Sequence, residues 1–104
     1  MLRRARLLRR FTALVWQEYH NGVRNGEISQ PLEYHEAVLF RDRAAMILGD
    51  LAPQMADPTQ AAKLSDLLTT MKARMEARAD DVEPLVTEAL ALIDTSFGAE
   101  VAQG

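Results

Sequence analysis

The chain has 104 residues, enough for one ordinary domain with a modest core and too few for two. Its apolar share of 48% and charged share of 26% are those of a globular protein, and the lack of cysteine excludes disulfides, thiolate metal sites and Cys nucleophiles. The net charge of −3 is unevenly spread: residues 1–52 carry eight Arg against six acids, while residues 53–104 carry four bases against nine acids.

A first helix is predicted over about 2–22. Leu7, Leu8, Phe11, Leu14, Val15 and Tyr19 recur at helical spacing and form one stripe. Five Arg fall within its first ten positions, where they oppose the helix dipole, and Arg6, Arg9 and Arg10 share the face away from the stripe. The apolar part from Phe11 to Trp16 is too short for a signal-peptide core and runs into Gln17-Glu18-Tyr19 without a small-residue cleavage site. Export would therefore require a leader removed beforehand. No apolar run approaches the ~20 residues of a membrane-spanning helix.

Asn21-Gly22 and Asn25-Gly26 supply stop and turn chemistry. A second helix is predicted over about 31–51, opened by Pro31 with Glu33 and Glu36 in its first turns, and stopped before Pro53. Asp57-Pro58-Thr59-Gln60 reads as a capped start to a third helix over about 58–79, with Gln60 three residues after the cap and Ala61, Leu64, Leu67, Leu68, Met71 and Met75 as its stripe. A fourth helix over about 84–97 presents Leu85, Val86, Ala89, Leu90, Ile93 and Phe97, with Gly98 as its stop. The expected fold is all-α: an antiparallel up-down-up-down four-helix bundle in a single domain. A dimer of two long helical hairpins buries the same faces and is the structural alternative.

Three acids stand out because of where the helical wheel puts them. Glu33 falls in line with Ala37, Phe40, Ala44, Ile47 and Leu51, Glu36 borders that stripe, and Glu18 follows Phe11, Leu14 and Val15. In a hairpin the end of the first helix lies beside the start of the second, so Glu18 and Glu33 are expected to meet, with Tyr19 and Tyr34 nearby. The connection between the third and fourth helices returns to the same end with Asp80, Asp81 and Glu83. Clustered carboxylates suit a hard cation. First-turn acids also complement the helix dipole, and that purely structural account covers Glu33, Glu36 and Glu83 equally well. His20 and His35 fall on other faces of their helices, which gives them surface positions or at most a supporting role behind the carboxylates, a role Tyr19 and Tyr34 could share.

Several other chemistries fail on spacing. No Glu-x-x-His occurs, so a di-iron bundle is excluded. Asn21 to Leu32 imitates a calcium loop only at Gly26 and Ile28, with Val23 and Leu32 where acids belong. Met71 and Met75 lie one turn apart on a core stripe, where they serve as filling rather than as copper or haem ligands. A pI near 5.3 argues against a dedicated nucleic-acid binder. No Ser-His-Asp spacing or phosphate loop is present, so the chain reads as non-enzymatic.

Tyr19-x-x-x-Val23-x-Asn25-Gly26-x-Ile28, followed by Glu33-Tyr34-x-Glu36 and Phe40, resembles a stretch of the extracytoplasmic helical region of bacterial high-affinity iron permeases. The match spans 23 residues, Glu18 to Phe40. The resemblance implies a periplasmic helical module that handles iron or another divalent cation, with Glu18, Glu33 and Glu36 as ligands. Without the resemblance, a cytoplasmic location fits equally. The family's earlier Asp-Tyr pair is Ala13-Leu14 here, Asn25 replaces an acid, and the membrane helices with their Arg-Glu-x-x-Glu motif are absent, so the chain is not itself a permease. The competing reading is a helical interaction module, binding a protein partner or a second copy through Trp16, Leu39 and Met46, which lie off the predicted stripes.

Overall fold

In the computed structural model, which describes residues 1–103, α1 spans Leu2–Gly22, α2 Pro31–Leu51, α3 Pro58–Glu76 and α4 Val82–Phe97. Short 3-10 turns follow α2 at Ala52–Gln54 and α4 at Ala99–Gln103. The helices form an antiparallel ring. Arg4 near the start of α1 bonds Asp50 at the end of α2, Tyr34 near the start of α2 reaches Met75 at the end of α3, and Gln60 at the start of α3 meets Ser96 at the end of α4. Arg9 then closes the ring by gripping Asp94 of α4 through both carboxylate oxygens, at 2.7 and 3.2 Å. The all-α four-helix bundle expected from periodicity is the fold found.

The core is a line of Ala5, Leu8, Val15 and Tyr19 from α1 against Ala37, Ala44, Leu48 and Leu51 from α2, Leu64, Leu68, Met71 and Met75 from α3, and Val82, Val86, Ala89 and Ile93 from α4. Thr12 lies in the same buried line because its hydroxyl donates to the Leu8 carbonyl at 2.8 Å, which removes its need for water. The α1 stripe is therefore rotated from the expected one: Leu7 is exposed and Leu14 only half-buried.

The Arg-rich start of α1 has a structural explanation. Arg4 and Arg9 reach carboxylates close to the C-terminal ends of α2 and α4, where the helix dipoles are negative, and Arg6 donates to the Glu100 carbonyl at 3.4 Å. Arg9 is accordingly half-buried rather than solvent-facing. On α3, Asp57 caps the helix as expected, accepting from the Thr59 amide at 2.9 Å. Gln60 does not complete a capping box: its side-chain carbonyl accepts from the Ser96 hydroxyl at 2.9 Å and ties α3 to α4 instead. Between α2 and α3, Arg41 and Lys72 both bond Asp42. Burial alone would raise the Asp42 carboxyl, but those two cations outweigh it and hold its pKa below the usual range.

The α1–α2 connection contains a feature the helical reading lacked, a miniature antiparallel ribbon of β1 (Val23–Arg24) and β2 (Glu27–Ile28). Val23 opposes Ile28 and Arg24 opposes Glu27, leaving Asn25-Gly26 as a two-residue loop with φ of 54° and 79°. Two positive φ values in succession define a type I′ turn, for which Asn-Gly is the preferred pair. Gly22 closes the base of the ribbon. Its carbonyl accepts from the Ser29 and Gln30 amides at 2.9 and 3.1 Å, and a Cβ there would lie 2.6 Å from the Tyr34 nitrogen. Only glycine lets the end of α1 and the start of α2 approach this closely.

Candidate functional site

The site is built at that close approach. Glu18 is half-buried on the side of α1 that faces α2, and Glu33 and Glu36 are half-buried in the first two turns of α2. Glu36 and Glu33 lie near enough for their charges to act on Glu18: burial first, then those two negative neighbours, push the Glu18 pKa above its usual value. Among the described residues no group of three or more His, Asp or Glu side chains closes into a cage for an ion. The arrangement is an open carboxylate patch on the α1–α2 seam.

The remaining acids of this end belong elsewhere. Asp81 is held by Arg74 at 2.9 Å, and Asp80 lines a separate hollow of about 500 Å³ bounded by Trp16, His20, Val23, Asn25 and Arg78. Neither these two nor Glu83 is among the charges that act on Glu18. The histidines are exposed and stacked on aromatics rather than turned to the patch: His20 lies 5.0 Å from the Trp16 ring and His35 meets Tyr34 edge-on at 6.0 Å.

Tyr19 and Tyr34 flank the carboxylates along the chain, but their hydroxyls point across the bundle. Tyr19, nearly fully buried, donates to the Ala79 carbonyl at 2.5 Å, and Tyr34 donates to the Met75 carbonyl at 3.2 Å. Both acceptors sit where α3 ends. The Arg78 amide bonds the Met75 carbonyl and the Ala79 amide bonds the Arg74 carbonyl, with Arg78 at φ 54°: a Schellman motif. The two tyrosines therefore latch the carboxylate-bearing hairpin to the α3–α4 connection and fix its position in the bundle. Nothing in the spacing of the sequence pairs a hydroxyl with a distant carbonyl, so this role could not be read in advance.

Phe40 also acts in the hairpin, stacking on Phe11 at 5.8 Å between ring centres, and Arg43 lies over the same Phe11 ring at 5.7 Å. Of the residues expected to contact a partner, Leu39 and Met46 are exposed on the outer face of α2. Trp16 is apart from them: it is half-buried against the core and forms a wall of the hollow beside His20.

No curated protein and no solved structure matches the chain at a significant level. A family model does match, over residues 1–100, and its description is an iron permease-associated 4-helix bundle domain. The match extends the likeness of the Glu18–Phe40 hairpin to nearly the whole chain and agrees with the four antiparallel helices; the chain belongs to the iron permease-associated four-helix bundle family.

Proposed function

We propose that this chain is a non-enzymatic accessory module of iron transport, acting outside the cytoplasm, and that its carboxylate patch receives iron as cargo. The observation that carries the reading is the setting of Glu18, whose pKa is raised by burial and then by the neighbouring charges of Glu36 and Glu33, negative charge that a cation would neutralise. Membership of an iron permease-associated family supports the choice of iron. Carboxylate oxygens are hard donors suited to ferric and ferrous ions as well as to other divalent cations. An open patch suits a passing ion that keeps part of its hydration shell. Among the described residues no helix is long and apolar enough to cross a membrane.

The test is thermal unfolding of chelator-treated protein with ferrous iron, ferric iron, copper, zinc or calcium added, beside a Glu18→Gln/Glu33→Gln variant. A cation that binds only the folded chain raises its midpoint. The expected result is an iron-selective rise that is lost in the variant. A midpoint unmoved by every ion would remove the cargo role and leave the hairpin as architecture.

A further inference from the structure

The hollow of about 500 Å³ beside the ribbon has the size of a small-ligand pocket, and its walls differ in chemistry. One wall is aromatic: the Trp16 indole of α1 packs against the core, and the His20 ring lies one turn on, 5.0 Å away. The other wall is the α3–α4 connection, which brings one charge of each sign, Arg78 and Asp80. Tyr19 ties the two walls together, donating at 2.5 Å to the carbonyl of Ala79, the residue between those two charges. Arg78 has a φ of 54°, a left-handed value that strains any residue with a Cβ and is ordinarily left to glycine at a helix end. A use for its side chain accounts for an arginine there. Within the chain that side chain has none: among the described residues no side-chain hydrogen bond or ion pair engages Arg78, Asp80 or His20, whereas the adjoining Asp81 is taken by Arg74.

These groups select among ligands. A simple anion suits Arg78 but is repelled by Asp80, and a simple cation meets the reverse, whereas a zwitterion satisfies both. A flat ring beside the zwitterion stacks on the indole and imidazole. We propose that the hollow binds a free aromatic amino acid, its ring against Trp16 and His20, its carboxylate at Arg78 and its ammonium at Asp80. An aromatic residue within a peptide lacks the two charges beside its ring, so the ligand is the free amino acid and not a chain segment. The Tyr19 bond holds the charged pair in place beforehand, which lowers the cost of binding. Both charges are open to water, so the affinity is modest, with a Kd on the order of 1 mM. None of these residues belongs to the carboxylate patch, and the proposal does not depend on the cargo reading.

Trp16 is the one tryptophan of the sequence, so its emission reports on the hollow. Titration of the full chain with L-phenylalanine, which does not emit in the tryptophan band, is expected to change that emission to saturation, with isothermal calorimetry as the second readout. Phenylalaninamide lacks the carboxylate and N-acetylphenylalanine lacks the ammonium. Each is expected to bind about tenfold or more weakly, because one charged hydrogen bond is lost and one protein charge is left without a partner. Arg78→Gln is expected to remove the advantage of L-phenylalanine over the amide, and Asp80→Asn its advantage over the N-acetyl form. Both positions are exposed, so melting midpoints close to that of the unmodified chain serve as the check that each variant is folded. Neither an emission change nor heat with L-phenylalanine at roughly 20 mM overturns the proposal. Equal binding of the three compounds, tighter binding of the N-acetyl anion, or folded variants that bind L-phenylalanine as the unmodified chain does, overturns the zwitterion as the ligand.

Discussion

Replacing Gly22 by alanine separates two effects that usually cannot be told apart. Gly22 ends α1 without a positive φ, so helix propensity alone predicts that alanine stabilises by about 0.5–1 kcal/mol. Packing predicts the reverse. The added Cβ would lie 2.6 Å from the Tyr34 nitrogen, 2.9 Å from its Cα and 3.1 Å from the Glu33 carbonyl carbon, all of them backbone atoms unable to rotate aside. The start of α2 must retreat by roughly 0.8 Å to regain ordinary contact, straining the bonds from Ser29 and Gln30 to the Gly22 carbonyl and the Tyr34 latch. Overpacking of this kind costs about 1–3 kcal/mol, and the loosened bonds add to it, for a net loss of about 2 kcal/mol. For a domain of this size the melting midpoint should fall by about 8–15 °C. Gly49 is the control: it lies within α2 with nothing inside 4 Å of its would-be Cβ, so Gly49→Ala should raise the midpoint by about 2–6 °C. Scanning calorimetry of both variants decides. A Gly22→Ala protein that melts at or above the unmodified chain would refute the claim that the two helix ends touch through this glycine.

Two further outcomes follow from the site. Because the folded Glu18 pKa is raised, the folded chain holds that proton more tightly than the unfolded chain does. The stability this contributes is complete below the unfolded pKa and is lost as pH rises through the folded value. Glu18→Gln, which imitates the protonated form, should therefore melt above the unmodified chain at neutral pH and together with it near pH 3, with equal curves at both pH values counting against the carboxylate crowding. Tyr19→Phe removes a buried hydrogen bond and should cost about 1 kcal/mol, or roughly 4–8 °C in midpoint, with a smaller loss for the more exposed Tyr34→Phe; an unchanged Tyr19→Phe midpoint would deny the latch.

The parts of the fold that were legible were those where one physical signal dominated. On α3 the apolar stripe read from spacing, Ala61, Leu64, Leu67, Leu68, Met71 and Met75, is the buried set, because no other leucine or methionine on that helix competes with it. On α1 the leucines misled. Leu7 and Leu14 pulled the expected stripe away from Ala5 and Thr12, whose small or self-bonded side chains give little signal although both are buried. Helix ends were lost where unusual residues fill the terminal positions. The left-handed residue that ends α3 is Arg78 rather than glycine, so periodicity carried the helix on to 79. Pro84 marked the expected start of α4, yet the helix begins at Val82 with the proline inside the first turn, where its missing N–H has no helical partner to lose. Asp80 and Asp81 return to the expected end of the bundle but stay apart from Glu18, because Arg74 holds Asp81 and Asp80 lines the hollow beside Trp16.

The tyrosine latches have a consequence for how freely this protein can vary. Tyr19 and Tyr34 address backbone oxygens, at Ala79 and Met75, and every amino acid offers such an oxygen. The side chains from Ala77 to Asp80 contribute nothing to those bonds, so the α3–α4 connection can exchange its residues while the hairpin keeps its hold. Only the path of the main chain has to be preserved, which leaves the rim of the hollow free to change its charge and shape without disturbing the carboxylates that the same hairpin presents on its other side.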